Sequence, residues 1–469
     1  MRYKPKSYSN IGAAARMAGS VQRRTPGATN PAKNRGGNLF LTFLGWVLLL
    51  SMTIPWNVFT PLAERNFEAG YGVNAGARTI KLALLAISGI IFMRNWGMLL
   101  ALFRQLNRFF IAFLVLVPVS VLWSISPDDT MARFITTLSV VLVWIAVCIA
   151  SWEPQRFQNL LRPIITFVIL GSILFAMTSP ELAIEVGEGT LKDAWRGLTS
   201  QKNGFGQLAS FGFILWLLGW LARQVKTWQA ILFGGCSAAC VLFSRSSTSL
   251  LASTFAAVFL LMLLRAPPTW RRVMPYLIAA FASIVMTYAL AILKLLPGLE
   301  ILLGPITAMT GKDMTFSNRS VIWDIIKEHI QFSPYLGSGY GAYWIGPVPS
   351  SPSYTFVGRM YFYPNEAHNG YLEIVNDLGF MGLLVLIGYL ILYLRQSLRL
   401  LRFDRYQAAL YLAIFFQQAI INLSESLWLS VNAGLSFTVM TFATISLARS
   451  ALDQRAAGAS LGGRAVYGR

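Results

Sequence analysis

His368, one of two histidines in 469 residues, stands in Glu366-Ala367-His368-Asn369-Gly370-Tyr371, where a long polar stretch gives way to apolar sequence. An imidazole at such a junction would sit at a membrane surface. With an ordinary pKa of about 6.5 it is suited to take a proton from a hydroxyl group near neutral pH. Lone loop histidines are more often solvated than catalytic, so the case rests on the residues that accompany it.

Four cations supply that company. Arg196, Lys202, Arg245 and Arg319 lie near the ends of apolar runs, beside small or polar residues, on a face otherwise poor in cations. The turn Ser244-Arg245-Ser246-Ser247-Thr248-Ser249 is so short that the Arg245 guanidinium must lie at the membrane surface. A single arginine at a span end commonly snorkels to the headgroups; several, drawn from separate loops, point to a bound anion. Planar guanidinium groups pair bidentately with phosphate oxygens and stay charged at physiological pH, so pyrophosphate is the anion they fit. A departing pyrophosphate builds negative charge in the transition state, which fixed arginines can stabilise where other sites use a metal ion. Outside the cytoplasm nucleotide sugars are not supplied, so a glycosyl donor there must arrive on a lipid, and a polyprenyl pyrophosphate meets both conditions.

Other candidates carry less. Glu373 and Asp377 follow at i, i+4 and share a helical face with Asn369; either they tune His368 or line a path to it, or they serve as caps and solvent contacts. Glu425, in Asn422-Leu423-Ser424-Glu425-Ser426, faces the same side, and His329 reads as a surface residue. Asp128-Asp129 resembles a metal-binding acid pair, but after Ser126-Pro127 a turn is the better reading. No His-x-x-x-His or Cys-x-x-Cys pattern occurs, and Cys148, Cys236 and Cys240 all lie in apolar runs. Neither a disulfide framework nor a metal or other cofactor is expected.

The elements that must position these residues are membrane helices. Hydrophobic residues make up 55% of the chain and charged ones 12%, with a mean hydropathy of +0.56, far too apolar for a soluble protein of this length. The apolar runs are continuous and not alternating, so the fold class is all-α and polytopic. About twelve spans are expected, near 38–59, 79–92, 109–124, 134–151, 161–177, 204–221, 228–243, 248–264, 273–293, 379–394, 407–423 and 427–447. Residues 1–37 are basic, acid-free and too polar to build a core; they and 454–469 are expected as cytoplasmic tails around a membrane domain at 38–453.

The net charge of +20 would suit nucleic acid, but position decides otherwise. Loops and tails assigned to the cytoplasm hold most of the Lys and Arg, with only Glu153, Asp404 and Asp453 among the acids. Positive charge is therefore topology, with some attraction to anionic lipid, and no nucleic-acid partner is expected. Two long loops fall on the opposite face, at about 178–203 and 294–368. Ser317-Asn318-Arg319-Ser320 opens a helix in the second loop, with Arg319, Trp323, Ile326 and Ile330 on one face and Asp324, Lys327 and Glu328 left wet.

Taken together, Arg196-Gly197, Lys202-Asn203-Gly204-Phe205-Gly206, Ser244-Arg245-Ser246, Asn318-Arg319 with Ile322-Trp323, Gly337-Ser338-Gly339-Tyr340-Gly341 and Ala367-His368-Asn369-Gly370-Tyr371 resemble the bacterial O-antigen ligase and polysaccharide polymerase (Wzy-like) superfamily. Within it the chain is most similar to the ExoQ-type exopolysaccharide polymerases, over roughly 196–447. The resemblance implies a metal-independent, inverting membrane glycosyltransferase that acts at the periplasmic face of the inner membrane. Its donor would be an undecaprenyl-pyrophosphate-linked saccharide, its acceptor a second saccharide, with other export components as further partners. It implies His368 as the base and Arg196 and Arg245 as pyrophosphate ligands. Arg319 would hold donor or acceptor, Lys202 and Asn203 would orient the loop or touch substrate, and Glu366, Asn369 and Tyr371 would line the substrate site around the base.

Two rivals remain open on sequence grounds. A ligase would use the same donor and base and differ only in its acceptor, a lipid A core or a protein. A lipid-linked saccharide transporter or flippase would also present cations to pyrophosphate, but transport usually needs ionisable groups or broken helices near the bilayer midplane, and the span centres here are nearly free of charge.

Overall fold

The computed structural model describes residues 31–60, 75–185, 192–292, 319–360 and 363–466. The expected basic tail up to residue 30 lies outside them, as do Ser317 and Asn318 of the helix cap and the long loop up to residue 318.

Lipid offers the backbone no hydrogen-bond partner, so apolar runs of spanning length satisfy their own peptide groups as helices. The first half of the chain forms α1 (Pro31–Thr53), α2 (Ala75–Arg94), α3 (Trp96–Phe103), α4 (Arg108–Val119), α5 (Pro127–Ala150) and α6 (Arg156–Thr178). A short α7 (Pro180–Ala183) leads into two antiparallel two-residue strands, β1 (Ile184–Glu185) and β2 (Ala194–Trp195), with Ile184 opposite Trp195. Then come α8 (Lys202–Leu221), α9 (Thr227–Phe243), α10 (Ser247–Arg265) and α11 (Pro268–Ile292). The last part holds α12 (Arg319–Ile330), α13 (Thr355–Arg359), α14 (Gly370–Leu400), α15 (Arg405–Ile421) and α16 (Leu435–Val466). The protein is an all-α, multi-pass membrane protein.

Each of the twelve predicted spans falls on a helix, but among the described residues only six helices are long and apolar enough to cross a membrane alone: α5, α6, α8, α10, α14 and Leu435–Ala456 of α16. Helices α2 and α3 pass together, bent by 101°. Leu39–Thr53, Arg108–Leu122, Thr227–Phe243 and Arg272–Val285 are apolar but shorter. Helix α15 is in neither group, although its side chains from 407 to 421 are all buried. Its neighbours are protein and not lipid, so it can carry glutamines: Gln417 donates to Ser210 of α8 at 2.7 Å. Ser253 of α10 donates to the same hydroxyl at 3.0 Å, and Ser436 of α16 to Gln207 of α8 at 2.6 Å. Such interhelical bonds lock packing where water cannot compete.

Helix starts follow the side chains that can cap them. Asn107 accepts from Phe109 and Phe110 N–H, Ser246 from Ser249 N–H, and Asp404 from Gln407 N–H. The structure corrects the turn expected at Asp128-Asp129: Pro127 takes the first position of α5 and both acids fall in its first turn, with Ser126 bonded to Asp129.

One break shapes the site. Helix α14 starts nine residues before the predicted span and is interrupted at Gly379, at φ 62° and ψ −164°. Residues of the loop 333–341 dock into the break. Ser338 and Gly339 N–H donate to the freed carbonyls of Asn376 and Asp377, while Phe380 N–H donates to Pro334. A Cβ on Gly379 would meet the Tyr335 carbonyl carbon at 2.2 Å, so only glycine permits this approach.

Candidate active site

The loop before α14 is held from both sides. Asn369 caps the helix, accepting from Tyr371 and Leu372 N–H at 3.1 and 3.2 Å, and its amide donates to the Leu423 carbonyl at 3.3 Å. From one turn into α14, buried Glu373 reaches back to accept from Ala367 N–H at 2.6 Å and from the Trp344 indole at 2.8 Å. Trp323 of α12 donates its indole N–H to the Ala367 carbonyl at 3.0 Å. Both backbone polar groups of Ala367 are thus held by buried side chains. The next residue, His368, takes a left-handed backbone at φ 50°, a strain of about 1–3 kcal/mol that persists only where the surroundings enforce it. On the other side Gly370 N–H donates to the Asn422 carbonyl at 3.0 Å. A Cβ on Gly370 would lie 1.8 Å from the Asn422 side-chain oxygen, which accepts from Leu427 and Trp428 N–H.

This frame sets His368 Nδ1 3.2 Å from Glu366 Oε1 and 3.6 Å from Glu425 Oε2. Glu425 is the hub. Its Oε1 accepts from Arg319 Nη2 at 2.9 Å and from Asn203 Nδ2 at 2.8 Å, so α8, α12 and the 363–369 loop meet on one buried carboxylate. Glu366 accepts through its second oxygen from Ser426 N–H at 3.3 Å. Burial disfavours the imidazolium, but the Glu366 and Glu425 carboxylates beside Nδ1 outweigh it and push His368 up to about 10. Burial raises the Glu366 carboxyl, with His368 opposing. Burial would raise Glu425 as well, yet His368 and Arg319 hold it below the usual carboxylate range. With Nδ1 buried against the carboxylates, Nε2 is the nitrogen left for a reacting group.

The remaining cations connect to this hub through Lys202 and Glu185. Lys202, at the start of α8, lies within Coulombic range of Glu185, Glu425, Arg319 and Arg245, and its backbone N–H donates to Glu185 Oε1 at 2.8 Å. Arg196 is fully buried after β2, in the field of the same Glu185. Arg245 is exposed at the turn, with φ 49°, and its guanidinium lies 3.8 Å from Asp193.

Lys202, Asn203, Arg319, Glu366 and His368 are therefore gathered around Glu425, and Arg196 and Arg245 join through Glu185 and Lys202. Asn369 and Tyr371 face elsewhere: the Asn369 side chain is fully buried in capping, and the Tyr371 ring is buried edge-on to Trp428. They shape the loop from behind. The reading of His329 as a surface residue is corrected. It is half-buried, with Nε2 2.9 Å from Ser338 Oγ and its ring on Tyr343, and burial lowers its pKa.

Sequence reasoning undervalued Glu425 and missed Glu185. Glu425 is the one acid between α15 and α16, a signal that was present; nothing in the sequence separates Glu185 from Glu188. Glu366, His368 and Glu425 offer ligand atoms within 4.8 Å of one another, donor types that also bind divalent cations. Arg319 and Asn203 already occupy one oxygen of Glu425, and the guanidinium charge opposes a second cation there.

Residues 232–387 match the family described as O-Antigen ligase. The chain is 27% identical over 328 residues to the exopolysaccharide production protein ExoQ of Rhizobium meliloti (strain 1021), a match covering 66% of this chain and 71% of that protein. Both similarities fall on the superfamily that the motifs resemble. They support a membrane function of the O-antigen ligase or polymerase type.

Proposed function

We propose, from the resemblance to O-antigen ligases and ExoQ-type proteins, that this chain is an inverting glycosyltransferase that joins polyprenyl-pyrophosphate-linked oligosaccharides into exopolysaccharide at the periplasmic face of the inner membrane. The observation that carries the reading is His368 Nδ1 held between Glu366 and Glu425, while a second oxygen of Glu425 is held by Arg319 and Asn203. With both carboxylates beside Nδ1, a proton is favoured on that nitrogen and Nε2 is left as the basic one.

In the reaction the acceptor hydroxyl oxygen attacks the anomeric carbon of the donor sugar. The bond from that carbon to the pyrophosphate oxygen breaks, the pyrophosphate leaves with the electron pair on its lipid, and the hydroxyl proton passes to His368 Nε2. Arg196, Arg245 and Lys202 supply the positive field for the leaving anion, with no metal required. Arg319 aligns Glu425, and Asn369, Glu373 and Tyr371 position the loop. Because His368 is pushed up to about 10, the neutral base is a minor form at neutral pH.

The test is incubation of purified protein with a lipid-pyrophosphate-linked oligosaccharide and a metal chelator, followed by size separation of the saccharide. A ladder of repeats that is absent in His368→Ala is expected. Transfer only when a lipid A core or protein acceptor is supplied would favour a ligase, the activity named in the family description matched by 232–387. No transfer of either kind by folded protein would refute the assignment.

A further inference from the structure

At the opposite end of the bundle lies a site that this reaction does not use. Helix α14 starts beside His368 and, past its break at Gly379, continues to Leu400, a further 21 residues or about 30 Å at 1.5 Å per residue. Helix α15 then returns to Glu425. The turn between them is therefore roughly a membrane thickness from the reaction centre. There, a cavity of about 920 Å³ is lined by Arg272, Arg395, Arg399, Arg402 and Arg405 over an apolar wall that includes Leu263, Met274 and Leu398. A second cavity of about 320 Å³ shares Ile391 and Leu394 with the first. It continues between α14 and α11, past Ile387 and Leu390 on one side and Ala279, Ala282 and Ser283 on the other.

Arginines at a span end are expected from topology alone. Their convergence on one cavity that opens into an apolar slot is not. Among the described residues no carboxylate pairs with Arg272, Arg395, Arg399 or Arg402. Asp404, the acid of that turn, is committed to capping α15 at 3.0 Å, and Arg405 donates to the Leu263 carbonyl. Positive charge without acid, joined to a slot of small and aliphatic side chains, is complementary to a phosphate headgroup with a chain attached.

We infer that the arginine cavity and the α11–α14 slot together form a binding site for an anionic phospholipid, its phosphate among the arginines and part of one acyl chain between the helices. The slot of about 320 Å³ suits a segment of a single acyl chain better than a long polyprenyl chain.

The full chain, purified in detergent, is incubated separately with phosphatidylglycerol, phosphatidylcholine, undecaprenyl phosphate and inorganic phosphate, and retained molecules are counted by native mass spectrometry. Phosphatidylglycerol is expected to be held about tenfold more tightly than phosphatidylcholine, and inorganic phosphate not to be retained. Ala282→Trp fills the slot without changing a charge, so membrane orientation is kept, and it should weaken phosphatidylglycerol about tenfold. Arg395→Gln with Arg399→Gln should do the same, with a thermal melt of each variant checking its fold. Equal retention of phosphatidylcholine, preference for undecaprenyl phosphate, retention of inorganic phosphate alone, or unchanged binding in folded Ala282→Trp would overturn the assignment.

Discussion

At the end of the bundle that carries His368, cations and acids interlock: Arg319 binds Glu425, His368 lies between Glu366 and Glu425, and Arg245 approaches Asp193. At the other end, Arg395, Arg399 and Arg402 line a cavity without an acid partner among the described residues. The first arrangement holds one imidazole beside two carboxylates and has few internal degrees of freedom. The second leaves its charge to be met by a ligand. Burial explains the difference for Arg319, His368 and Glu425, because ionised groups withdrawn from water must find opposite charge within the protein, whereas exposed arginines keep their hydration until a phosphate displaces it.

The sharpest way to break this comparison is at His368. Its replacement by alanine should lower transfer by about 10²–10⁴-fold, the usual range for a general base, while the protein stays folded in the membrane; transfer within a factor of a few of wild type would remove the base assignment. Glu425→Gln should cost about 10–100-fold, since it strips one carboxylate from His368 and leaves the Arg319 guanidinium without its ion pair. A wild-type rate there would mean that the hub is only structural.

The pH profile sharpens the same point. His368 is pushed up to about 10 by its carboxylates, and a base works unprotonated, so the rate should climb about tenfold per pH unit from neutrality and level off near that value. In Glu425→Gln the plateau should begin at lower pH, because one cause of the raised pKa is gone. If the rate instead falls as pH rises towards 10, the imidazolium is the working form and His368 holds the anion.

Smaller effects are expected from the frame behind the site. Gly370→Ala forces a Cβ against Asn422 and should destabilise the protein by about 2–4 kcal/mol, read as a drop in unfolding temperature. Glu373→Gln keeps the shape but weakens the bonds to Ala367 and Trp344. It should reduce turnover about 3–10-fold with little change in donor KM; a change confined to KM would place Glu373 on the donor path instead.

Helix positions and fold class were legible, and Arg319 and His368 could be singled out as candidates, because these readings depend on local properties: apolar run length, charge asymmetry, and a rare titratable residue at a polar–apolar junction. The amphipathic face of Arg319–Ile330 could be read in the same way, since helical periodicity alone puts Trp323, Ile326 and Ile330 together. What the sequence could not decide were partners far apart along the chain. Asn203 and Glu425 are 222 residues apart, and Trp344 and Glu373 are separated by 29 residues and a loop. Asn369 and Tyr371 show the limit most clearly. Proximity to His368 made them candidates for substrate contact, but the helix that starts at Gly370 turns one into a cap and the other into core. Local pattern determined which groups lie at the ends of apolar runs; only packing decided which of them face the same space, because that depends on how helices distant in sequence cross and on where Gly379 breaks the one that follows His368.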